Sequence, residues 1–187
     1  MKLTESYWPG TDEHILETTV GDVLRAAAEA TPDAPALTGG AADPSARRTW
    51  TYAELLDEAE AVARALLGRF DQGDHVAIWA HNVPEWVLLE YGMGLAGVVL
   101  VTVNPALRAE EVKYVLEQSK ARGAFTVDAF RDQAPTTIAS ELQADLDGLE
   151  HVISIDAWDE FLASGDAATE ARSKTIKFKV VNRRTVR

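Results

Sequence analysis

Hydrophobic residues recur along most of this chain in two alternating patterns, one with helical spacing and one of short, unbroken apolar runs. Four apolar residues lie three or four positions apart: Leu55, Ala59, Val62 and Leu66. This spacing predicts one buried face of a helix. The run at 76–80 is apolar throughout, which is typical of a strand covered on both faces in a parallel sheet.

Between residues 49 and 127 the two patterns alternate without a break, and they continue more weakly on either side. Strands are predicted at 34–38, 48–51, 76–80, 98–103, 123–127 and 152–155. Helices are predicted at 20–30, between Thr51 and Gly68, between Asn82 and Gly97, near 109–119, around Ile138, Leu142 and Leu146, and from Asp156 to near Ser164. Strands that alternate with helices of this length form right-handed crossovers. The pattern therefore predicts an α/β fold with a doubly wound, mostly parallel sheet flanked by helices.

Local signals at helix starts support these elements. Thr51 followed three residues later by Glu54 predicts a capping box, with Trp50 and Leu55 placed as a hydrophobic staple around it. Asn82 is expected to cap the next helix, because Pro84 then falls in its first turn.

The chain divides into three predicted segments. Residues 1–18 are expected to form an extended N-terminal arm, residues 19–165 the α/β unit, and residues 166–187 a basic tail. Seven basic residues lie at the end of the chain: Arg172, Lys174, Lys177, Lys179, Arg183, Arg184 and Arg187. All 30 acidic residues precede them, so the body is strongly acidic and should repel nucleic acid.

Two origins of the tail compete. It is either foreign to the rest of the chain, from a frameshift, a truncated gene or a cloning remnant, or a natural ending with its own role. The tail lacks the alanine-rich, acidic composition of the preceding residues, and this difference favours a foreign origin. Alternation of Ile176, Phe178 and Val180 with lysines would suit an edge strand.

Location is predicted from what the sequence lacks. It contains no cysteine, residues 1–10 have no apolar signal-peptide core, and the longest apolar stretch, 91–103, is too short to span a bilayer. A cytoplasmic protein without a transmembrane segment is the expectation.

One motif resembles a nucleotide-binding fingerprint in spelling only. Gly92, Gly94 and Gly97 match G-x-G-x-x-G. A dinucleotide fingerprint must follow a strand and open a helix, so that pyrophosphate meets the helix N-terminus. These glycines are predicted to close a helix before a strand, where they allow close packing.

The sequence contains no residue set that predicts catalysis, cofactor binding or metal binding. The four histidines lack metal-ligand spacing, and neither a G-x-S-x-G elbow nor a G-x-x-x-x-G-K-[ST] loop is present. The carboxylate pairs Glu110–Glu111 and Asp159–Glu160 fall in predicted first turns of helices, where they offset the helix dipole.

Asn82 and Asn104 are the candidate site residues, as the rim of a cleft. Each follows the carboxyl end of a predicted strand, and that edge of an open α/β sheet is where ligands bind. The alternative assigns Asn82 to a helix cap and Asn104 to a turn.

Five strings follow one another along the chain: TWTYAEL at 49–55, GDHVAI at 73–78, NVPEW at 82–86, GVVLVTVNP at 97–105 and EEVKYVL at 110–116. Together, in this order and spacing, they resemble the N-terminal region of AMP-forming acyl-CoA synthetases, the adenylate-forming enzymes. The resemblance covers residues 20–164 and is greatest to bacterial fatty-acid-CoA ligases of the long- or medium-chain kind. It implies the N-terminal subdomain of the adenylate-forming synthetase fold.

The resemblance implies an activity for a longer protein. Such an enzyme activates a fatty acid with ATP and Mg²⁺ to an acyl-adenylate, then passes the acyl group to the thiol of CoA. In that family the phosphate-binding loop, the ribose-binding acid and the catalytic lysine come after the region seen here, and none is present in this sequence. The chain alone is therefore not expected to be active, since adenylation must hold a triphosphate and its magnesium.

Three hypotheses follow. The chain is the N-terminal fragment of an acyl-CoA ligase, or a stand-alone, non-catalytic remnant that acts as a binding or dimerisation module. A small flavodoxin-type nucleotide-binding protein is the third, disfavoured because the strand-to-helix loops lack a phosphate cradle. A cut domain should expose an apolar face and self-associate through it.

Overall fold

The computed structural model describes residues 17–172, with side chains described as far as residue 165. The predictions for the arm at 1–16 and for the tail at 173–187 lie outside the described residues. The elements follow in the order α1 Val20–Ala30, β1 Pro35–Thr38, β2 Thr49–Thr51, α2 Tyr52–Leu67, β3 His75–Trp79, α3 Pro84–Ala96, β4 Val99–Val103, α4 Ala109–Ser119, β5 Gly123–Thr126, α5 Pro135–Gln143, β6 His151–Ser154 and α6 Trp158–Arg172. None of these helices is long and apolar enough to cross a membrane.

The main sheet is parallel, with the strand order β4-β3-β5-β6. β3 lies between two partners, so that Trp79 is opposite Val103 of β4 on one side and Thr126 of β5 on the other. The predicted α/β fold with a parallel sheet flanked by helices is confirmed. The strands β1 and β2 form a separate antiparallel pair that packs against α2.

Helices cover both faces of the main sheet. On one face, buried Val76 and Ile78 of β3 belong to the same core cluster as residues of α1, α2, α3 and α6. On the other face, Ala77 and Trp79 pack with Val112 of α4 and with residues of α5. The alternation of β3 side chains between two cores explains why the run at 76–80 is apolar at every position.

The start of α2 is as the sequence predicts. The Thr51 hydroxyl accepts a hydrogen bond from the Glu54 amide at 3.2 Å, and the Glu54 carboxylate accepts one from the Thr51 amide at 2.8 Å. Gly68 is the C-cap. Both orphaned amides of the first turn are thereby satisfied, as a capping box requires.

The glycines of α3 are packing residues, as predicted. A Cβ at Gly92 would collide with the Val62 side chain of α2, and one at Gly94 would lie 3.3 Å from Val20 of α1. Gly97 has a φ of 73°, a left-handed conformation that favours glycine, and it ends the helix immediately before β4. The G-x-G-x-x-G spelling therefore serves helix packing and helix termination.

The predicted cap of α3 by Asn82 is wrong. The N-cap is Val83, which makes no side-chain capping bond, and Pro84 is the first helical residue. Proline favours the first helical position because its fixed φ suits the helix and its missing amide costs nothing there. Asn82 lies one residue too early to reach the orphaned amides.

The apolar run at 98–103 predicts a buried strand in the same way as the run at 76–80, and this prediction is wrong for β4. β4 is an edge strand, with Val99 42% exposed and Thr102 exposed, whereas Val103 is buried. An apolar run reports hydrophobicity and strand propensity, but it does not report the lateral position of the strand in the sheet.

The two last helices differ from the predicted bounds. α5 ends at Gln143, so Leu146 lies in the turn that follows it. Asp156 is part of a 3-10 turn at Ile155–Ala157 and does not cap α6, which extends to Arg172 and past Ser164.

Candidate functional site: the carboxyl edge of the parallel sheet

The carboxyl ends of β3, β4 and β5 meet at one edge of the sheet, as their parallel pairing requires. The chain leaves β3 toward α3 on one face, and it leaves β4 and β5 toward α4 and α5 on the opposite face. Chains that diverge in this way from neighbouring strands leave a crevice at the strand ends, the usual ligand position in open α/β sheets.

The two candidate rim residues lie at this edge, and both are exposed. Asn104 directly follows β4, and Asn82 lies three residues beyond the end of β3. The Asn104 side-chain oxygen accepts a hydrogen bond from the Ala106 amide at 2.9 Å, the geometry of an Asx turn. A rim role for Asn82 and Asn104 stays a prediction.

An aromatic stack that the sequence patterns did not indicate joins the loops after β3 and β5. The rings of His81 and Phe130 are nearly parallel, with centroids 5.6 Å apart, and the Arg131 guanidinium lies 5.1 Å from the Phe130 ring centre. The Nδ1 atom of His81 is buried and hydrogen-bonds to no residue of the described chain. Arg131 has a φ of 54°, which is uncommon for a residue other than glycine.

Hydroxyl groups converge on a carboxylate where β5 and β6 end. Asp128 Oδ1 accepts hydrogen bonds from the Ser154 hydroxyl at 2.7 Å and the Thr136 hydroxyl at 2.8 Å. These bonds, from Ser154 first and then Thr136, hold the pKa of Asp128 below its ordinary value. The Asp128 amide donates to the Asp156 carboxylate at 2.7 Å. The cluster is internally satisfied and fastens β6 and α5 to the end of β5.

An ion pair links the loop that follows β4 to the loop that follows β5, the two strands that flank β3 in the sheet. The Arg108 guanidinium donates to Asp132 Oδ2 at 3.1 Å, and this hydrogen bond is the main reason why the pKa of Asp132 is lowered. Arg108 also donates its backbone amide to the Glu111 carboxylate at 2.9 Å. Glu111 is thus engaged at the start of α4, as predicted for a first-turn carboxylate.

No group of three or more histidine, aspartate or glutamate side chains within residues 17–165 comes together in a way that could hold a metal ion. Arg108 at this edge forms an exposed ion pair with Asp132. The arrangement can orient loops and line one side of a cleft.

These features define an α/β protein with a parallel sheet, in which the carboxyl ends of the strands form the edge where open α/β sheets usually bind ligands. A family model described as AMP-binding enzyme matches residues 24–183. The chain belongs to this family of AMP-binding enzymes.

Two solved structures and one curated relative illustrate the similarity. The medium-chain acyl-CoA ligase ACSF2 of Mus musculus is 33% identical over 144 residues, which cover 76% of this chain and 23% of the relative. The N-terminal domain of FACL13 from Mycobacterium tuberculosis is similar with a TM-score of 0.67 and 26% identity, over 79% of this chain and 36% of that one. VinN in complex with 3-methylaspartate is similar with a TM-score of 0.64 and 27% identity, over 81% of this chain and 38% of that one.

The chain spans about a quarter of the length of the curated relatives that it matches. The family model extends through residue 183 and so includes most of the basic segment at 172–187.

Proposed function

We propose that this chain is the N-terminal part of an ATP-dependent fatty-acid-CoA ligase and is inert alone. In the complete protein, ATP with Mg²⁺ converts the fatty acid to an acyl-adenylate, and the acyl group then passes to the CoA thiol. The observation that carries the proposal is the family match over residues 24–183. The residues that hold the triphosphate, the magnesium and the CoA belong to the remainder of such a protein.

In the complete protein, this chain would contribute one side of the active-site cleft and position the loops around it. The crevice at the carboxyl edge would form one wall of a cleft, with Asn82 and Asn104 at its rim. The Asp128 cluster and the Arg108–Asp132 pair hold the surrounding loops in place. Such positioning matters because near-attack geometry contributes a large part of the rate of a two-substrate reaction.

The fatty acid is the least constrained part of the proposal. The mouse relative is named for medium-chain acyl groups, whereas VinN is bound to 3-methylaspartate. Proteins that share this fold therefore differ in the acid that they bind. A fatty acid is favoured because the mouse relative, which has the higher identity to this chain, is named for medium-chain acyl groups.

Calorimetric titration of the purified chain with Mg-ATP, and then with a non-hydrolysable fatty acyl-adenylate mimic, tests the inert fragment. We expect no saturable heat with either ligand, while a full-length relative binds both. Saturable binding of the mimic by this chain would contradict the proposal and would favour a remnant with its own site. Loss of that binding in Asn82→Ala and Asn104→Ala, but not in Asp147→Ala, would then locate the site at the rim.

A chimera tests membership of a ligase directly. Residues 24–172 replace the matched segment of FACL13, and acid-dependent pyrophosphate exchange is measured. We expect exchange above that of a chimera with no N-terminal segment. A folded chimera that binds ATP but shows no exchange would contradict the proposed framing role.

A further inference from the structure

β4 presents an open backbone edge. The Val99 amide donates to the Asp74 carbonyl at 2.8 Å, on the side of β3. Because successive peptide groups of a strand point to opposite sides, the N–H and C=O groups of Leu100 and Thr102 point away from β3. No described strand lies on that side.

This edge lacks the features that normally prevent edge pairing. Natural edge strands are protected by charged side chains, prolines, bulges or short length. β4 has five residues, no charge and no proline, and its pairing with β3 is regular throughout. Val99 and Thr102 are exposed on it.

The strand and its neighbours in the sequence also carry no charge that would repel a second copy. The chain has a net charge of −12, yet no charged residue occurs from Tyr91 to Leu107. This uncharged stretch contains all of β4, the residues between α3 and β4, and the first four residues after β4, at 104–107. Two copies that meet here bring no carboxylates of this stretch together.

We propose that two copies of this chain pair through β4 in an antiparallel, two-fold symmetric arrangement. Antiparallel pairing centred on Val101 places Leu100 opposite Thr102 of the second copy, and Thr102 opposite Leu100. These are the residues whose N–H and C=O groups both point outward, so each forms a hydrogen-bonded pair. The register is self-complementary, as a two-fold interface requires. The inference does not depend on the proposed ligase function.

Sedimentation velocity over a concentration series tests the pairing. A single strand pair buries a small area, so we expect a weak dimer with a Kd on the order of 10 µM. Thr102→Pro removes an outward amide without removing a bond to β3, and Thr102→Lys adds a charge to the edge. We expect both to weaken the dimer at least tenfold. A protein that stays monomeric throughout the series would overturn the proposal.

Two controls locate the interface. Thr102→Val keeps the amide and the shape and should leave the dimer unchanged. Val23→Lys alters another exposed apolar residue, 49% exposed on α1, and should also leave it unchanged. A dimer that Val23→Lys breaks, or that survives both Thr102→Pro and Thr102→Lys, does not form through β4.

Hydrogen exchange distinguishes whether a second copy or another part of the same chain pairs with the edge of β4. The amides of Leu100 and Thr102 should exchange rapidly at a concentration well below the measured Kd and slowly well above it. Protection of these amides in the monomer would mean that another part of the same chain covers β4, and the proposal would be wrong.

Discussion

The contact between Gly92 and Val62 sets how closely α3 approaches α2. A Cβ at position 92 would fall inside the Val62 side chain and 3.3 Å from the Ala59 carbonyl oxygen. The helices cannot separate without loosening a cluster in which Val62, Leu89 and Met93 are buried. The glycine is therefore required by packing.

We expect Gly92→Ala to lower the free energy of unfolding by about 1–3 kcal/mol, the usual cost of overpacking a core. Urea unfolding followed by circular dichroism measures it. Gly40→Ala is the matched control, because a Cβ at Gly40 meets nothing within 4 Å. Equal effects of the two substitutions would show that the cost comes from backbone conformation and not from the helix contact.

His151 links stability to pH at the opposite end of the sheet. Its ring lies edge-on against Phe70, with centroids 5.2 Å apart. Burial first, and then the positive charge of Arg69, lower the pKa of His151 from its ordinary 6.5, with Glu150 opposing. The unfolded chain therefore binds this proton more readily than the folded chain does below pH 6.5.

The free energy of unfolding should consequently fall as the pH decreases from about 7 toward the lowered pKa of His151. His151→Gln removes this titration, so its stability should decline less over the same interval. Urea unfolding at pH 7.5 and pH 5.5 for both proteins measures the difference. Parallel declines would show that other groups cause the acid sensitivity.

At the scale of elements, the stability of α2 depends on the hydrogen bonds that its first-turn amides make. Thr51→Ala removes the hydroxyl acceptor of the capping box and leaves the Glu54 amide without that partner. We expect a loss of about 1 kcal/mol in the free energy of unfolding. Thr137→Ala, at an exposed position of α5 where no side-chain cap is formed, is the control. Both are compared by thermal unfolding, and a Thr51→Ala protein as stable as the control would contradict the capping role.

The sequence predicts an element best where several local signals agree. α2 combines helical spacing, a capping box and a terminal glycine, and its structure matches. The predicted start of α3 is one residue too early because Asn82 and Pro84 give competing signals two positions apart, and the proline position decides. The length of α6 was misjudged because no glycine or proline follows Gly165 to stop it.

The site was less predictable than the fold because its contacts join distant segments. His81 and Phe130 meet only because β5 inserts beside β3 in the sheet order, and periodicity carries no information on that order. Asn82 and Asn104 were placed at the correct edge, since residues after parallel strands share an edge whatever the order. The edge position of β4 also follows from the strand order, so periodicity could not predict it.

At the scale of the whole molecule, net charge and the β4 edge act against each other. The net charge of −12 repels a second copy, while the uncharged edge attracts it. Raising the ionic strength from about 0.02 M to 0.5 M shortens the Debye length from roughly 20 Å to 4 Å and suppresses the repulsion. Apolar contacts and backbone hydrogen bonds are not screened in this way.

We therefore expect the Kd of the dimer, measured by sedimentation velocity, to fall at least threefold over this range of salt. An interface that joined the basic residues at 172–187 to the acidic body would respond in the opposite direction, because salt screens attraction between opposite charges. Thr102→Lys provides an internal check, since its residual association should become less impaired as salt screens the added charge. Dissociation at high salt would exclude β4 as the main contact and would assign the association to charge.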